Sequence, residues 1–134
     1  MDRLALDTTV LIDLQNESRK RGAVRGATHF LMQHQDTELV LPVVALGEYL
    51  EGFRDPTSKA ALALVSRMRV LAITSEIARE YAVVARRLRS NGLLIGANDL
   101  WIGCTAKVAG LPLVTRNGEH FRRIDGLAVV GYSD

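Results

Sequence analysis

Cysteine and proline are scarce in this sequence. Of its 134 residues, one is cysteine (Cys104) and three are proline. A single cysteine excludes an intramolecular disulfide framework and is typical of a reducing compartment. Because Cys104 lies in an apolar stretch, we expect it to pack in the core. Stability must then come from a hydrophobic core, which a chain of this length can bury.

Long apolar runs are also absent. No stretch of the sequence approaches the length of a membrane span. The N-terminus lacks the basic segment and apolar segment of a secretory signal. We therefore expect a cytoplasmic protein without membrane attachment.

The signatures of several common sites do not occur. The chain has no G-x-x-x-x-G-K-[ST] or G-x-G-x-x-G, which cradle nucleotide phosphates, and no G-x-S-x-G of hydrolases. It has no C-x-x-C, and His29 and His34 lie five residues apart, which is the wrong spacing for one helix face. A zinc site is therefore not expected.

Arginine, in contrast, is abundant. Only three of the 17 basic residues are lysine, and arginines cluster at 19–21, 86–89 and 122–123. The planar guanidinium matches phosphate oxygens and keeps its charge. These clusters are compatible with a phosphate backbone as partner, although a GC-rich genome would also raise the arginine content.

Segments with strand and helix patterns alternate along the chain. Strands separated by helices indicate a parallel sheet covered by helices on both faces. The length indicates a single α/β domain over residues 1–134. The predicted strands are 3–6, 38–42, 70–73, 111–115 and 127–130, and the predicted helices are 9–15, 21–35, 43–53, 55–68, 75–92 (capped by Ser75) and 98–109.

Asp7 directly follows the first predicted strand, in the stretch LALDTTVLIDL. Ligands of parallel sheets bind beyond the carboxyl ends of the strands, so Asp7 stands where a site is expected. It could also simply cap the helix that begins near Thr9. From Asp7 alone, the cap is the simpler interpretation.

Two further acids lie on predicted helices. Glu48 belongs to a mainly apolar helix that should pack on the sheet, and an inward acid there is costly unless it is paired or bound to a cation. Glu51, one turn later, could exchange roles with Glu48. Asp99 falls in the first turn of helix 98–109, where an acid also complements the helix dipole.

The strand 111–115 repeats the opening pattern, because it runs into a polar turn with Thr115, Asn117 and Glu119. Carboxylate, amide and hydroxyl oxygens at one sheet edge form the ligand set that hard cations such as Mg²⁺ or Mn²⁺ prefer. Carboxylates this close repel each other, and a metal would remove that penalty.

Four motifs now carry a resemblance: LALDTTVLID, GEYLEG, ANDLWIG and LPLVTRNGEHFRRIDGLAVVGY. In this order they resemble the PIN-domain family, and most closely the VapC-type toxin ribonucleases of bacterial toxin–antitoxin pairs. The resemblance covers essentially the whole chain. It implies a PIN-like three-layer sandwich with a central parallel sheet.

The resemblance also implies a catalytic set. Asp7, Glu48 and Asp99 match the family's first three acids and would hold Mg²⁺, with Mn²⁺ as an alternative in vitro. Asn117 stands at the fourth catalytic position, which is often Asp. Because Asn117 is neutral, Glu119 could compensate, and the number of metals is open between one and two.

Supporting roles follow from the same resemblance. Thr9 stands where Ser or Asn is usual, and Thr115 matches the threonine of the final strand. Arg116 could position substrate phosphate. The implied activity is hydrolysis of RNA phosphodiester bonds, and the implied partners are a cognate VapB-type antitoxin and a second copy in a homodimer.

Other classes stay open. A PIN-like RNA-binding or regulatory module with weak or no nuclease activity would agree with Asn117, and a PIN nuclease of RNA processing would act outside any toxin pair. A receiver-type phosphoacceptor domain fits poorly. LALDTT carries one acid where receivers have two, VLAITSE carries no Asp, and LVTRN carries no Lys.

Overall fold

Five short strands alternate with seven helices in the computed structural model, which describes residues 3–19 and 26–133. In chain order the elements are β1 (Arg3–Leu6), α1 (Thr8–Ser18), α2 (Gly26–Met32), β2 (Glu38–Pro42), α3 (Val43–Glu51), α4 (Lys59–Ala63), β3 (Arg69–Leu71), α5 (Ser75–Ser90), α6 (Ala97–Val108), β4 (Leu113–Val114), α7 (Gly118–Phe121) and β5 (Val129–Val130).

All five strands form one parallel sheet in the order β3-β2-β1-β4-β5. The pairing of β1 with β4 aligns Leu6 with Val114, and the backbone N–H of Asp7 donates to the carbonyl of Val114 at 3.0 Å. Asp7 and Thr115 therefore follow neighbouring strands at the point where the strand order reverses. Open α/β sheets bind their ligands at this point.

The strand order places helices on both faces of the sheet. From β1 to β3 each new strand is added on one side, whereas β4 and β5 are added on the other side of β1. Because crossovers between parallel strands are right-handed, the two sets of connecting helices cover opposite faces. This confirms the predicted three-layer α/β sandwich.

The core consists of the three inner strands and the helices packed on them. Leu4, Leu6, Val40, Leu41 and Leu113 are at most 2% exposed. Buried apolar side chains on consecutive strand positions are expected where both faces of a parallel sheet are covered.

Among the described residues, no helix combines the length and apolarity that a bilayer crossing requires.

Helix α6 packs closely against the chain that follows β4. Cys104 is fully buried in the core, as predicted. A Cβ on the neighbouring Gly103 would collide with Cδ1 of Ile124, so glycine allows α6 to approach this segment. The close packing fixes the position of Asp99 at the start of α6.

The helix predicted at 55–68 is wrong in extent, because α4 has only five residues. The Asp55 carboxylate accepts hydrogen bonds from the backbone N–H (2.9 Å) and the hydroxyl (2.7 Å) of Thr57. Such an Asx turn competes with helix formation. The helix begins only after Ser58, its N-cap, so Pro56 lies outside α4.

The predicted cap of α5 is off by one residue. The hydroxyl of Thr74 accepts the N–H of Ile77 at 3.2 Å, so Thr74 is the N-cap and Ser75 is the first helical residue. The predicted stop at Asn91-Gly92 is confirmed, since Asn91 is the C-cap and Gly92 has φ +68°.

Remaining boundaries differ by a few residues. Helix α1 runs three residues beyond the predicted 9–15, and β3, β4 and β5 are shorter than predicted. Helix α7 has no predicted counterpart, because four residues are too few to show a periodicity. Of the helix predicted at 21–35, α2 lies in the described part. Residues 20–25 lie outside the described residues and include two basic residues of the first cluster.

Candidate active site

Asp7 lies where β1 meets α1 and is 3% exposed. It is the N-cap of α1, and its Oδ1 accepts the N–H of Thr8 at 2.7 Å. Its Oδ2 accepts the hydroxyls of Thr115 (2.7 Å) and Thr9 (2.9 Å). Asp7 is therefore both a helix cap and a cleft residue, and the two interpretations of the sequence are compatible.

Burial raises the pKa of Asp7 above its ordinary value of 3.8. The hydrogen bonds from Thr115, Thr9 and Thr8 lower the pKa and offset part of this effect, whereas the negative charge of Asp99 raises it further. A cation between the two carboxylates would stabilise the ionised form of Asp7.

Glu48 is the less exposed of the two acids of α3 between which the sequence left the inward role open. Its side chain is half-buried and both of its oxygens accept hydrogen bonds: Oε1 from the Thr8 hydroxyl (2.5 Å) and Oε2 from the Asn98 amide (3.0 Å). Glu51 is exposed, yet it lines the same cleft. These contacts tie α3 to the start of α1 and to the start of α6.

Asp99 stands in the first turn of α6 and its side chain is 36% exposed. Its Oδ2 lies 3.5 Å from Nδ1 of His120 in α7. It lines the cleft with Asp7 and Glu48. The fold therefore gathers all three acids that the sequence pointed to.

The turn after β4 completes this edge of the sheet. The hydroxyl of Thr115 accepts the N–H of Asn117 at 3.1 Å, and Asn117 is exposed at the cleft. Glu119 lies in an adjoining recess that Asp99 and Asn117 also line. Compensation of Asn117 by Glu119 stays a prediction.

Arg116 contacts the site through its backbone and a neighbouring acid through its side chain. Its N–H donates to the hydroxyl of Thr9 at 3.1 Å. Its Nη1 donates to Oδ2 of Asp13 at 3.0 Å, and the Tyr132 hydroxyl donates to the same oxygen at 2.6 Å. The guanidinium is thus anchored at the rim, where it also lines the adjoining recess.

The cleft between α1, α3 and α6 has a volume of about 630 Å³. Within residues 3–19 and 26–133, no three Asp, Glu, His or Cys side chains are placed to hold a metal by themselves. A cation here would therefore need water or substrate oxygens in addition to protein ligands, as Mg²⁺ sites usually do. The oxygen-rich lining suits such a hard cation.

Comparison with known proteins defines the family. A model of the PIN domain matches residues 4–127. The chain belongs to the PIN-domain family.

The chain is similar to named ribonucleases and to solved structures. Ribonuclease VapC10 of Mycobacterium tuberculosis is 31% identical over 124 residues, which cover 92% of this chain and 90% of the relative. Ribonuclease VapC1 of Methanocaldococcus jannaschii is 27% identical over 123 residues, with coverage of 91% and 81%. The VapBC-1 structure of nontypeable Haemophilus influenzae matches with a TM-score of 0.79 at 25% identity, covering 96% of this chain and 97% of that one.

Three contacts of this PIN domain are absent from the sequence-based site. Thr8 and Asn98 hold Glu48, and His120 approaches Asp99. Thr8 directly follows Asp7, and Asn98 directly precedes Asp99. This adjacency to predicted site acids is the signal that the sequence offers. The distance of 40 to 50 residues to their partner hid the contacts themselves.

Proposed function

We propose that this PIN domain is a metal-dependent endoribonuclease and the toxin of a toxin–antitoxin pair. The observation that carries the proposal is the buried Asp7 carboxylate, which shares an oxygen-lined cleft with Asp99 at the switch point of the sheet. Relatives that match nearly the whole chain are named Ribonuclease VapC. We also propose that residues 1–134 form a single PIN domain, located in the cytoplasm with its RNA substrate.

In this mechanism Asp7, Asp99 and Glu48 would hold the cation, directly or through water. When bound, Mg²⁺ or Mn²⁺ supplies a Lewis acid that polarises the phosphodiester and lowers the pKa of water. Asp7 is fixed by three hydrogen bonds and Glu48 by two, so both carboxylates are preorganised for a charged ligand. Preorganised charge needs little rearrangement during reaction.

The turn after β4 would bind the substrate. Asn117 is exposed at the cleft and offers an amide that can donate to a phosphate oxygen. Arg116 would contact an adjacent phosphate from the rim, oriented by Asp13. Thr9 and Thr115 support the site by holding Asp7.

The proposed partners are RNA, a VapB-type antitoxin and a second copy of the chain. The solved structure from nontypeable Haemophilus influenzae that matches this chain at 25% identity is that of VapBC-1, which supports an antitoxin as partner. A VapB-type partner would block the cleft until it is removed.

A second candidate function is an RNA-binding module with weak or no cleavage. Asn117 favours this candidate, because the turn after β4 presents a neutral amide to the cleft instead of a carboxylate. The chain could also act as a PIN nuclease in RNA processing, which would be distinguished by the absence of growth arrest.

The test is cleavage of a mixed pool of structured RNAs with Mg²⁺ or Mn²⁺. We expect wild type to cleave and to lose cleavage in EDTA, whereas Asp7→Asn and Asp99→Asn should cleave at least about 100-fold more slowly. Asp36→Asn is the matched control, because it makes the same charge change at an exposed site before β2. Cleavage that persists in both cleft variants would exclude this active site, and binding without cleavage by folded wild type would favour the second candidate.

Toxicity is tested by expression in a bacterial host. Wild type should arrest growth, and Asp99→Asn should not. Arrest should be relieved by co-expression of the cognate antitoxin. Equal growth with wild type and Asp99→Asn would contradict the toxin assignment and leave the RNA-processing role.

A further inference from the structure

Two arginine clusters that are far apart in sequence meet on one surface. Nη1 of Arg87, near the end of α5, lies 3.6 Å from Oδ2 of Asp125. Nη1 of Arg123 donates to the carbonyl of Leu93 at 3.2 Å. The last turn of α5 and the loop after it therefore lie against residues 122–125.

Arg122 brings this surface to the cleft. Its backbone N–H donates to the carbonyl of Gly118 at 2.9 Å. Its guanidinium lies so close to Gly118 that a Cβ there would be 2.5 Å from Nη1 and 2.9 Å from Cζ. Gly118 lines the recess beside the cleft together with Asp99 and Asn117. The positive charge of Arg122 thus stands directly behind the turn that carries Asn117.

The loop after α5 provides a second connection. It continues into Asn98 and Asp99, which line the cleft. Arg123 holds this loop through Leu93. The basic surface therefore reaches the cleft edge at the turn after β4, and through Arg123 it contacts the loop that leads into α6.

The arginines of this surface are poorly neutralised. Arg86 and Arg122 are exposed and form no ion pair with any described residue. The Asp125 carboxylate beside Arg87 is 80% exposed, so solvent screens that pair. Around the α5 axis Arg86 projects roughly 100° from Arg87, and Arg89 roughly 160°. Arg86 therefore flanks this surface, whereas Arg89 lies on the far side of the helix from Arg87.

We propose that Arg86, Arg87, Arg122 and Arg123, here called the arginine surface, bind the phosphate backbone of single-stranded RNA beside the scissile bond. The inference rests on the proposed nuclease function. The acidic cleft repels phosphate, whereas the adjacent arginines attract it and present planar donors to its oxygens. The arginine surface thereby guides the strand into the cleft.

The test is RNA binding in EDTA, which separates binding from cleavage. Fluorescence anisotropy of a 5′-labelled single-stranded RNA is measured over a salt series with wild type and the double variant Arg86→Gln/Arg122→Gln. Each lost phosphate contact lowers the slope of log Kd against log salt by about 0.7 for single strands, so the double variant should lose about 1.4 in slope.

The matched control is Arg67→Gln/Arg69→Gln. Both residues are exposed, and they lie at the amino end of β3, opposite the cleft edge of the sheet. This control removes the same charge and should keep the wild-type slope. An equal loss in the control would mean that only net charge matters, and it would overturn the proposal.

Cleavage kinetics with metal give a second readout. The double variant Arg86→Gln/Arg122→Gln should raise KM about tenfold and leave kcat near wild type, since its residues touch no reacting atom. If the double variant keeps the slope and KM of wild type, the proposed arginine surface is wrong. Cleavage by wild type would still support the nuclease in that case. RNA binding that depends on the arginine surface, without any cleavage, would refute the nuclease and keep the surface. A change in oligomeric state, with unchanged RNA binding, would identify a protein interface and overturn the proposal.

Discussion

Thr115→Val tests the hydrogen-bond network that supports Asp7. Thr115 is 1% exposed, and valine has nearly the same shape. The substitution removes one bond donated to the Asp7 carboxylate (2.7 Å), one bond accepted from the N–H of Asn117 (3.1 Å) and a long contact with the Thr9 hydroxyl (3.4 Å). It leaves the backbone of β4 unchanged.

The expected loss of stability follows from the two shorter of these contacts, with Asp7 and Asn117. A hydrogen bond to a charged group contributes roughly 1.5–3 kcal/mol and a neutral one roughly 0.5–1.5 kcal/mol. The N–H of Asn117 is in a part-buried turn, where water can replace the lost acceptor, and the added methyl group returns up to about 0.8 kcal/mol of burial. We therefore expect a loss of about 2 kcal/mol in the free energy of unfolding at neutral pH.

The cost should depend on pH. Burial raises the pKa of Asp7 above its ordinary value of 3.8. The contribution of Asp7 to the free energy of unfolding is therefore fully present below pH 3.8 and is lost as the pH rises through the folded-state pKa. Thr115→Val removes a bond that lowers this pKa. The stability gap between wild type and variant should therefore widen as the pH rises and narrow as Asp7 becomes protonated.

The assay is urea unfolding in EDTA over a pH series. Thr105→Val is the matched control, because Thr105 is also 1% exposed but donates only to the neutral carbonyl of Trp101 (2.7 Å). The control should cost about 1 kcal/mol or less at every pH. Equal and pH-independent losses in Thr115→Val and the control would refute the assigned role of Thr115.

Three further predictions concern the site and the chain around it. Asp7→Asn should lower kcat/KM by about 10²- to 10³-fold. Without metal, the same variant should unfold at no lower urea concentration than wild type, because a neutral amide avoids the burial of a charge. A lower urea midpoint for the variant would contradict this. Asn98→Ala frees Oε2 of Glu48 and should reduce RNA cleavage by about tenfold or more, which a steady-state assay would detect, and wild-type rates would exclude the contact. Gly92→Ala should cost about 1–2 kcal/mol in urea unfolding because its φ is +68°, whereas Gly96→Ala, with φ −58°, should change stability by less than about 0.5 kcal/mol.

Strand ends were the most informative feature of the sequence. Asp7 and Thr115 each follow an apolar strand, and parallel strands bring their carboxyl ends to one edge. The direct bond between the two side chains follows from the pairing of β1 with β4. Which strands are neighbours is set by long-range packing, so the partner of Asp7 could not be predicted from local pattern.

Helix boundaries were predicted less well where side chains compete with the backbone. Asp55 captures Thr57 in a turn and shortens the helix predicted at 55–68. Local apolar periodicity cannot show such competition.

The contacts of Arg116 show the same limit for the site. Its position beside Asn117 was visible in the sequence, but its ion pair with Asp13 spans 103 residues. The meeting of Arg87 with Asp125 is likewise a product of the fold. Charge clusters can be counted in a sequence, whereas their arrangement on one surface requires the tertiary structure.

The most direct test of the metal site is anomalous diffraction from crystals of this protein soaked in Mn²⁺. We expect a peak within coordination distance of the carboxylates of Asp7 and Asp99, and no such peak in Asp99→Asn crystals. A cleft without bound Mn²⁺ in wild-type crystals, with ordered Mn²⁺ at another site that cleavage requires, would contradict the proposed active site.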